Sequence, residues 1–228
     1  MYMEVPINES SDIWKISMVN CFQNLIDVTE DLPGYDQLNK KLKLIENTVF
    51  EKICAAAARD DNQFNVLCHG DMWANNIMFK HDEHGRVKDE LFVDFQLPYW
   101  NSPVMDVMYN LYTSSGEDLC ENDWNQLIKH YHEELSLVLK ALKYKKPIPS
   151  LADLQEAIRK KSICAALIGV LCLGIRNLEN VSDDGFQMFI RTGDEDRKNR
   201  LNMVMPLKCR KSLEFIVNNI DRNVKLDY

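Results

Sequence analysis

The chain has 228 residues, of which 46% are hydrophobic, and it carries a formal net charge of -8 at pH 7. This length and composition are sufficient for a globular protein with a substantial core. The acidic balance argues against nucleic acid or an anionic membrane as a partner, because both require clustered Lys and Arg.

The N-terminal part of the chain is predicted to form two helices. Apolar residues recur every three to four residues over 12 to 29, with Asp12 as the predicted N-cap and with Pro33 and Gly34 as the stop. A second helix is predicted over 36 to 58, which carries the most regular amphipathic pattern of the chain. Its apolar stripe consists of Leu38, Leu42, Ile45, Val49, Ile53 and Ala56.

A short region of β-structure is predicted next. The apolar segment FNVLC, residues 64 to 68, predicts a buried strand, and the polar loop HGDMWANN follows it at 69 to 76. Two apolar triplets, at 77 to 79 and 91 to 93, flank a polar turn and predict a β-hairpin with its tip near Gly85.

The position of this tip determines which residues face each other, because paired residue numbers in an antiparallel ribbon sum to a constant. A tip at Gly85 places Phe79 opposite Leu91 and Asn76 opposite Asp94. Directly opposed side chains have Cβ atoms about 5 Å apart. The side chains of Asn76 and Asp94 are therefore expected to lie close together.

From residue 104 onward the pattern is again helical. Helices are predicted over 104 to 112 and over 122 to 142. The residues of the second helix that are predicted to face inward are Trp124, Leu127, Ile128, Tyr131, Leu135, Val138 and Leu142. Ser150 and Asp153 form a predicted capping box for a long helix that ends near residue 178.

The remaining C-terminal segments are predicted from apolar runs and chain breakers. The longest apolar run, Ile163 to Ile175, is shorter than the ~20 residues that a membrane-spanning helix requires, so it predicts a buried helix. Residues 182 to 196 are predicted to be a loop, with the acidic run Gly193 to Asp196 as a solvated helix start. A final pair of helices is predicted to be divided at Pro206.

Together these elements predict a mostly α protein with a small β-hairpin, an α+β fold class, in which residues 1–228 form a single domain. The seven cysteines occur without a CxxC pair, and the N-terminus lacks the basic and apolar regions of a signal peptide. A reducing, cytoplasmic location is therefore expected.

The polar loop and the hairpin together carry groups suited to phosphate chemistry. The Asn76 oxygen and the Asp94 carboxylate are hard oxygen ligands of the kind that Mg²⁺ prefers. Asp71, on the loop beside them, is free to accept a proton. Phosphoryl transfer needs this division of labour, because a metal ion balances the phosphate charge while a base receives the proton of the nucleophile.

The sequence resembles a known family in these segments. The stretches HGDMWANNIMF and LFVDFQ are similar to the catalytic loop and the metal-binding segment of the ecdysteroid-kinase-like (CHK kinase-like) proteins, relatives of aminoglycoside phosphotransferases and choline kinases. The segment SPVMDVMYNLYTSS and the ending CRKSLEFIVNNI also resemble this family. The resemblance implies an ATP- and Mg²⁺-dependent phosphotransferase with a catalytic loop at 69–76 and a metal-binding segment at 93–96.

The resemblance also implies a role for each polar residue of the site. Asp71 corresponds to the catalytic base, and Asn76 and Asp94 correspond to the metal ligands. His69 is expected to brace the loop, and Asp106 corresponds to a second buried Asp that hydrogen-bonds the backbone of the catalytic loop.

The resemblance covers the C-terminal lobe of a protein-kinase-like fold, and the N-terminal ATP lobe is expected to be missing. The 68 residues before His69 are nearly all assigned to helices, with no strand-rich stretch and no lysine-bearing strand. Each lost donor to a transition-state charge costs about 3 to 4 kcal/mol. Weak or absent activity of the chain alone is therefore expected, so that it is a short isoform, a fragment or a degenerate copy.

Each site residue also has an ordinary structural explanation. Asp71 can cap a turn through its own loop, and Asn76 and Asp94 can be plain residues at strand ends. Trp73 and Trp100 flank the site in sequence and are candidates for a substrate pocket, although an aromatic residue beside a motif more often only packs.

Three functions are compatible with these residues. The first is phosphoryl transfer from ATP to a hydroxyl of a small molecule, ecdysteroid-like or another lipophilic alcohol, with neither nucleic acid nor membrane insertion. The second is a catalytically dead, kinase-like binding module. The third is a metal-dependent phosphoester hydrolase, which is disfavoured because such sites usually hold more carboxylate or His ligands.

Overall fold

The computed structural model describes residues 6–114, 121–176, 184–205 and 210–223. Most of these residues are helical, and the strands form two small antiparallel sheets, which confirms the predicted α+β class. The first helix, α1 (Asp12–Asp31), is two residues longer than predicted, and its N-cap is Ser11 instead of Asp12. The chain leaves this helix at Leu32, whose backbone N–H donates to Val28 O.

The predicted second helix is divided in two. Its first part is α2 (Asp36–Ile45), a 3₁₀ turn follows at Glu46–Thr48, and the second part is α3 (Val49–Ala57). At the break the Thr48 hydroxyl donates to Ile45 O at 3.3 Å. Such a local side-chain bond competes with the helical backbone pattern, and no Pro or Gly announces it in the sequence. The predicted stripe is buried except for Ala56, which is partly exposed.

The first sheet contains a strand that the apolar pattern does not predict. Strand β1 (Val66–Cys68) lies within the predicted strand and pairs antiparallel with a later strand at Tyr99–Asn101, in which Leu67 faces Trp100. The later strand has only three residues, so that no alternation of apolar and polar residues develops in it.

The second sheet is the predicted hairpin, but its register is displaced by one residue. It consists of β2 (Ile77–His81) and β3 (Val87–Phe92), and the strand at Tyr99–Asn101 is therefore β4. Phe79 faces Glu90 and Met78 faces Leu91. The predicted pairing of Phe79 with Leu91 is wrong.

Two features of the turn determine this register. Asp82 N–H donates to Arg86 O, which centres the turn on His84, one residue before the predicted tip, and Gly85 follows at φ 75°. A register shift between Lys80 and His81 then leaves one extra residue on β3, which offsets part of the displacement. As a result Asn76 is opposite Val93, whose N–H donates to Asn76 O at 3.0 Å, and not opposite Asp94.

The C-terminal part of the chain is helical. The described helices are α4 (Val104–Ser114), α5 (Glu121–Ala141), α6 (Leu151–Arg176), α7 (Asp184–Ile190), α8 (Asp194–Val204) and α9 (Arg210–Asn223). The predicted capping box of α6 is confirmed, because Asp153 Oδ2 accepts from Ser150 N at 2.8 Å while Ser150 Oγ accepts from Asp153 N at 3.2 Å. The predicted break at Pro206 lies outside the described residues.

Helix α6 is the centre of the core. It contacts α1, α3, α4, α8 and α9, and the predicted run Ile163 to Ile175 is buried apart from Ile168 and Ile175, which are partly buried. The crossing with α4 is close, since a Cβ at Gly169 would lie 2.9 Å from Tyr112 Cβ. No helix in the described part of the chain is both long and apolar enough to cross a membrane.

One C-terminal prediction is wrong and one is confirmed. The predicted loop at 182 to 196 contains α7 and the first turn of α8, because a seven-residue helix is too short for a visible period. Helix α7 is held through Phe189, which is fully buried and whose O accepts from Asn20 Nδ2 at 2.7 Å. The predicted solvated helix start is found, since α8 begins at Asp194 with three acidic residues in its first turn.

The predicted inward face of α5 is correct in part. Trp124 and Ile128 are buried, and Tyr131 and Leu135 pack partly buried against the core, whereas Leu127, Val138 and Leu142 are exposed. At the N-terminal end Trp124 packs on Tyr112 and Phe215. An amphipathic period predicts a face but not the presence of a partner for it.

Candidate active site

The polar loop HGDMWANN connects β1 to β2 and passes over the start of α4. It leaves the first sheet after Cys68 and enters the hairpin through a 3₁₀ turn at Ala74–Asn76. His69 and Asn76 at its two ends are buried, and Asp71 between them is partly exposed. Because the loop is fixed at both ends by strands, its polar side chains are held inside the fold.

Gly70 allows the loop to approach the segment that follows the hairpin. Its φ is +83°, in the left-handed region that side chains other than Gly, Asn and Asp rarely adopt. A Cβ at this position would lie 2.0 Å from Leu97 O. Both the backbone angle and the contact therefore require glycine here.

Asp106, in the first turn of α4, binds the backbone of the loop. Its Oδ2 accepts the N–H of His69 at 2.6 Å, and its Oδ1 accepts the N–H of Gly70 at 3.0 Å. Burial raises the pKa of Asp106 above its ordinary value, and the two backbone hydrogen bonds oppose that shift. Helix α4 thus holds the start of the loop by two charge-assisted hydrogen bonds.

His69 links the loop to the segment at 93–96. Its Nε2 lies 2.8 Å from Val93 O, and its Nδ1 lies 3.3 Å from Asp71 N. A carbonyl only accepts and a backbone N–H only donates, so the proton is assigned to Nε2. The ring also contacts Phe95, with 4.4 Å between centroids. With both ring nitrogens bonded to backbone, His69 is placed for support of the loop and not for proton transfer.

The carboxylate of Asp71 is held by two neutral donors. Tyr109 Oη donates to Oδ1 at 2.8 Å, and Asn76 Nδ2 donates to Oδ2 at 2.9 Å. The same Asn76 amide also donates to Asp71 O at 2.8 Å. Asp71 is therefore fixed in one orientation with a hydrogen bond on each oxygen.

Tyr109 is a site residue that the sequence prediction missed. It lies one turn after Asp106 on α4, and residues three apart on a helix share a face, so this spacing is the signal that would have indicated it. Burial is the main reason that the pKa of Tyr109 lies far above its ordinary value, with Cys172 and Asp71 adding to the shift. The phenol therefore remains a neutral donor to Asp71.

The two predicted metal ligands are placed differently from each other. Asn76 is buried and touches Asp71, and its Oδ1 accepts no hydrogen bond from the described residues, so this oxygen is available. Asp94 is exposed and has a φ of 65°, which is uncommon outside Gly, Asn and Asp, and its Oδ2 accepts from Gln96 Nε2 at 3.3 Å.

Mg²⁺ is the ion that this set of oxygens would suit. Within residues 6–114, 121–176, 184–205 and 210–223, no three His, Cys, Asp or Glu side chains group closely enough to hold a metal ion. The amide oxygen of Asn76 and the carboxylate of Asp94 are nevertheless hard oxygen ligands of the type that Mg²⁺ uses, and their role as its ligands stays a prediction.

An apolar pocket opens directly onto Asp71. Its volume is about 60 Å³. It is lined by Pro6, Ile7, Trp14, Gly70, Asp71, Leu97, Tyr99, Met105, Tyr109, Ile168 and Leu171. Asp71 is the one acidic side chain in this lining, and its partner Tyr109 forms part of the wall. A molecule that enters the pocket would therefore meet the Asp71 carboxylate in apolar surroundings.

The two tryptophans predicted for a substrate pocket lie outside this lining. Trp73 is partly exposed, and its buried Nε1 has no hydrogen-bond partner in the described part of the chain. Trp100 lies in β4 and is partly exposed. The tryptophan that does line the pocket is Trp14 of α1, which the motif gave no reason to select. A role for Trp73 or Trp100 at a substrate stays a prediction.

The geometry can be compared with known proteins. Residues 1–144 match the family model described as the ecdysteroid kinase-like family. This match covers more than half of the chain and includes the polar loop, the hairpin and α4. No curated protein and no solved structure shows a significant match to the chain.

Proposed function

The chain belongs to the ecdysteroid kinase-like family, and from this premise we propose that it transfers the γ-phosphoryl group of ATP to a hydroxyl of a small molecule. Membership supports a kinase-like phosphotransferase in general. The observation that carries the specific proposal is the Asp71 carboxylate, which is fixed by Tyr109 and Asn76 at the opening of an apolar pocket.

Asp71 acts in this proposal as the base. The acceptor oxygen forms a bond to the γ-phosphorus, the bond from that phosphorus to the bridging oxygen of ADP breaks, and the proton of the acceptor hydroxyl passes to Asp71. The two neutral donors support this role, because they orient the carboxylate while leaving a lone pair on each oxygen for the acceptor. His69 and Asp106 hold the backbone on which Asp71 stands.

Asn76 and Asp94 are the residues that would hold Mg²⁺. Bound there, the ion would supply positive charge to the phosphate oxygens of ATP, which is the chemistry that phosphoryl transfer requires of it. The Asn76 side chain supports this assignment, since its nitrogen is committed to Asp71 while its oxygen has no partner among the described residues.

A lipophilic alcohol, ecdysteroid-like in class, is the acceptor that we propose. The lining of the pocket, which is mostly apolar and contains Asp71 as its one acidic side chain, supports this class. Its volume of about 60 Å³ is well below the ~300 to 1,000 Å³ of typical ligand pockets. Only the hydroxyl-bearing end of such a molecule fits as the side chains stand, so the wall must move to admit the rest.

We further propose that transfer by this chain alone is weak. Protein kinases cover the phosphates with a Gly-rich loop and a lysine-bearing strand. The GxxxxG stretch of this sequence lies at 169 to 174, within α6, and both of its glycines are buried. Within the described residues this stretch supplies no phosphate-covering loop, and each donor that a site lacks costs about 3 to 4 kcal/mol of transition-state stabilisation.

The second candidate function is a catalytically inactive binding module, and the apolar pocket beside Asp71 favours it as well. It would keep the pocket and the helical scaffold but would not transfer phosphate. Its ligand would be a small molecule of the same apolar class, since the pocket is unchanged. The acidic net charge supports neither nucleic acid nor an anionic membrane as a partner under either proposal.

A cytoplasmic location fits both proposals. Among the described residues Cys21, Cys54, Cys68, Cys164 and Cys172 are free thiols. Free thiols persist in a reducing compartment, where ATP is also present.

The deciding experiment measures phosphate transfer from radiolabelled Mg-ATP to a panel of sterols and other apolar alcohols. Wild type is compared with Asp71→Asn and with Asp89→Asn, which removes an exposed carboxylate of β3 and serves as the matched control. Labelled product from wild type and Asp89→Asn, and a loss of roughly 10³-fold or more in Asp71→Asn, is the expected result. If all three proteins fold but none transfers phosphate, the phosphotransferase proposal is wrong and the binding module takes its place.

A further inference from the structure

We infer that Tyr109 is a positioning residue that fixes the Asp71 carboxylate for proton transfer. The inference rests on the proposed function, in which Asp71 is the base. The chain offers a reason to look for such a residue, because Asp71 lies on a loop and a base must be held within hydrogen-bond reach of its proton.

The hydrogen bonds of Asp71 leave Tyr109 with a distinct task. Asn76 binds Oδ2 and the backbone oxygen of Asp71, so it joins the side chain to its own loop. Tyr109 binds Oδ1 at 2.8 Å from a different element, α4. It is thus the contact that ties the carboxylate to the rigid helical body of the protein.

Tyr109 is itself held on several sides. Its hydroxyl lies 3.5 Å from Cys172 Sγ on α6, and its ring lines the apolar pocket together with Ile168 and Leu171 of the same helix. Because α4 packs along α6, the hydroxyl has little freedom to follow Asp71 if the loop moves. The phenol therefore determines where Oδ1 lies.

Helix α4 controls the loop at two points one turn apart. Asp106 binds the backbone of His69 and Gly70, and Tyr109 binds the side chain of Asp71. Three consecutive loop residues are thus hydrogen-bonded to one helix. Asp106 places the loop, and Tyr109 places the carboxylate within it.

The position of Tyr109 in the wall of the pocket connects this contact to the acceptor. A hydroxyl that enters the pocket meets the Asp71 carboxylate, and Tyr109 binds one oxygen of that carboxylate. With the Tyr109 hydroxyl removed, the carboxylate can rotate away from the pocket while the apolar wall remains. The loss should appear in the rate of the chemical step and not in the affinity for the acceptor.

The test compares Tyr109→Phe with Tyr112→Phe. Tyr112 lies three residues further on α4, and its buried hydroxyl has no partner in the part of the chain that the structure describes, which makes it a matched control. We expect kcat of Tyr109→Phe to fall roughly 10- to 100-fold with the acceptor KM nearly unchanged, as for a misplaced catalytic group. Tyr112→Phe should keep wild-type kinetics, and equal kinetics for the two variants would overturn the inference.

Asp71→Asn and the double variant with Tyr109→Phe show whether Tyr109 acts through Asp71. If it does, Tyr109→Phe lowers kcat in the wild-type background but not in the Asp71→Asn background. If the two losses of kcat instead multiply in the double variant, Tyr109 acts on another group, and the inference is overturned.

Unfolding by urea separates this inference from the proposed function, because it needs no substrate. The four proteins of the cycle should give non-additive changes in the free energy of unfolding if the two side chains interact. If the wild-type protein has no transfer activity, only the phosphotransferase proposal is refuted. Non-additive changes in the free energy of unfolding would still show that Tyr109 holds Asp71. Additive changes would refute the positioning role whether or not the protein is active.

Discussion

Asp106 Oδ2 accepts the backbone N–H of His69 at 2.6 Å, across 37 positions of sequence. The other oxygen accepts the N–H of Gly70, so a single carboxylate satisfies two consecutive backbone donors. In this geometry each N–H is bound by a separate carboxylate oxygen, and the consequence can be measured.

Replacing Asp106 by Asn should destabilise the fold by about 1 to 3 kcal/mol, because an amide offers one acceptor and leaves the second backbone N–H unpaired. Removal of a buried charge offsets part of this cost, since burial raises the pKa of Asp106. Urea unfolding at neutral pH measures the difference. Asp89→Asn, at an exposed position of β3, should change stability by less than about 0.5 kcal/mol. Equal midpoints for the two variants would mean that the two hydrogen bonds contribute little.

Alanine at Gly70 should be far more damaging than alanine at Gly85. Both glycines have positive φ, +83° and +75°, so both variants carry a backbone penalty of about 1 to 2 kcal/mol. A Cβ at Gly70 would also meet Leu97 O at 2.0 Å, whereas one at Gly85 would meet nothing within 4 Å. The difference in unfolding free energy between the two variants therefore isolates the contact. If Gly70→Ala is no less stable than Gly85→Ala, the loop does not pack on Leu97 as described.

Asp94→Asn should weaken the proposed metal site without destabilising the fold. Asn tolerates the left-handed φ of 65° almost as well as Asp, so the free energy of unfolding should change by less than about 1 kcal/mol. Loss of the carboxylate should weaken binding of Mg²⁺ in the presence of ATP by roughly tenfold or more, as followed by calorimetric titration.

Two further variants complete the test at this position. Asp94→Ala should weaken Mg²⁺ binding in the same way. It should also lower the free energy of unfolding, because Ala adopts a left-handed φ less readily. Gln96→Ala, which removes the hydrogen bond to Asp94, should weaken Mg²⁺ binding less than either. Unchanged Mg²⁺ binding in Asp94→Asn would remove Asp94 from the proposed ligands.

Stability should fall as the pH rises above about 9. Burial raises the pKa of Cys164 and of Cys172 from 9.0 to about 12. Between these values the unfolded chain releases the thiol proton and the folded chain keeps it. The contribution of the protonated thiol to the free energy of unfolding is therefore complete below pH 9 and is lost as the pH approaches 12. Each thiol contributes about 1.4 kcal/mol per pH unit in that window.

The alkaline prediction is checked by urea unfolding at pH 8, 9 and 10 under reducing conditions. Cys164→Ala should make the decline with pH less steep, because the cavity that it leaves costs the same at every pH. Cys54→Ala is the control, since Cys54 is only partly buried and should alter the decline less. A decline that is the same in Cys164→Ala and wild type would show that this thiol does not contribute.

The elements that the sequence predicts well are those whose signal is local. The capping box of Ser150 and Asp153 needs only four residues to be recognised, and it is present in the structure. The hairpin is also found, but its register depends on a turn centred on His84 and on an extra residue in β3, and neither leaves a trace in the apolar pattern. The opposition of Asn76 and Asp94 was wrong for that reason.

What the sequence could not predict depends on distant partners. Strand β4 exists because Tyr99 to Asn101 pair with β1, more than thirty residues earlier in the chain. Tyr109 looks like one more core position of an apolar helix until the loop is folded against it. Leu142 continues the apolar period of α5 just beyond its last residue, yet it is exposed. Periodicity identifies the apolar face of a helix, and only the folded structure shows which residues pack against that face.

The close crossing at Gly169 has a consequence for the chemistry. A methyl group there would press on Tyr112 and move α4 away from α6, and α4 carries the residues that set the loop and its carboxylate. If Asp71 is the base, as proposed, the packing of the core at Gly169 is therefore coupled to the position of the proton acceptor. A variant altered only in the buried core, such as Gly169→Ala, would then slow the proposed transfer.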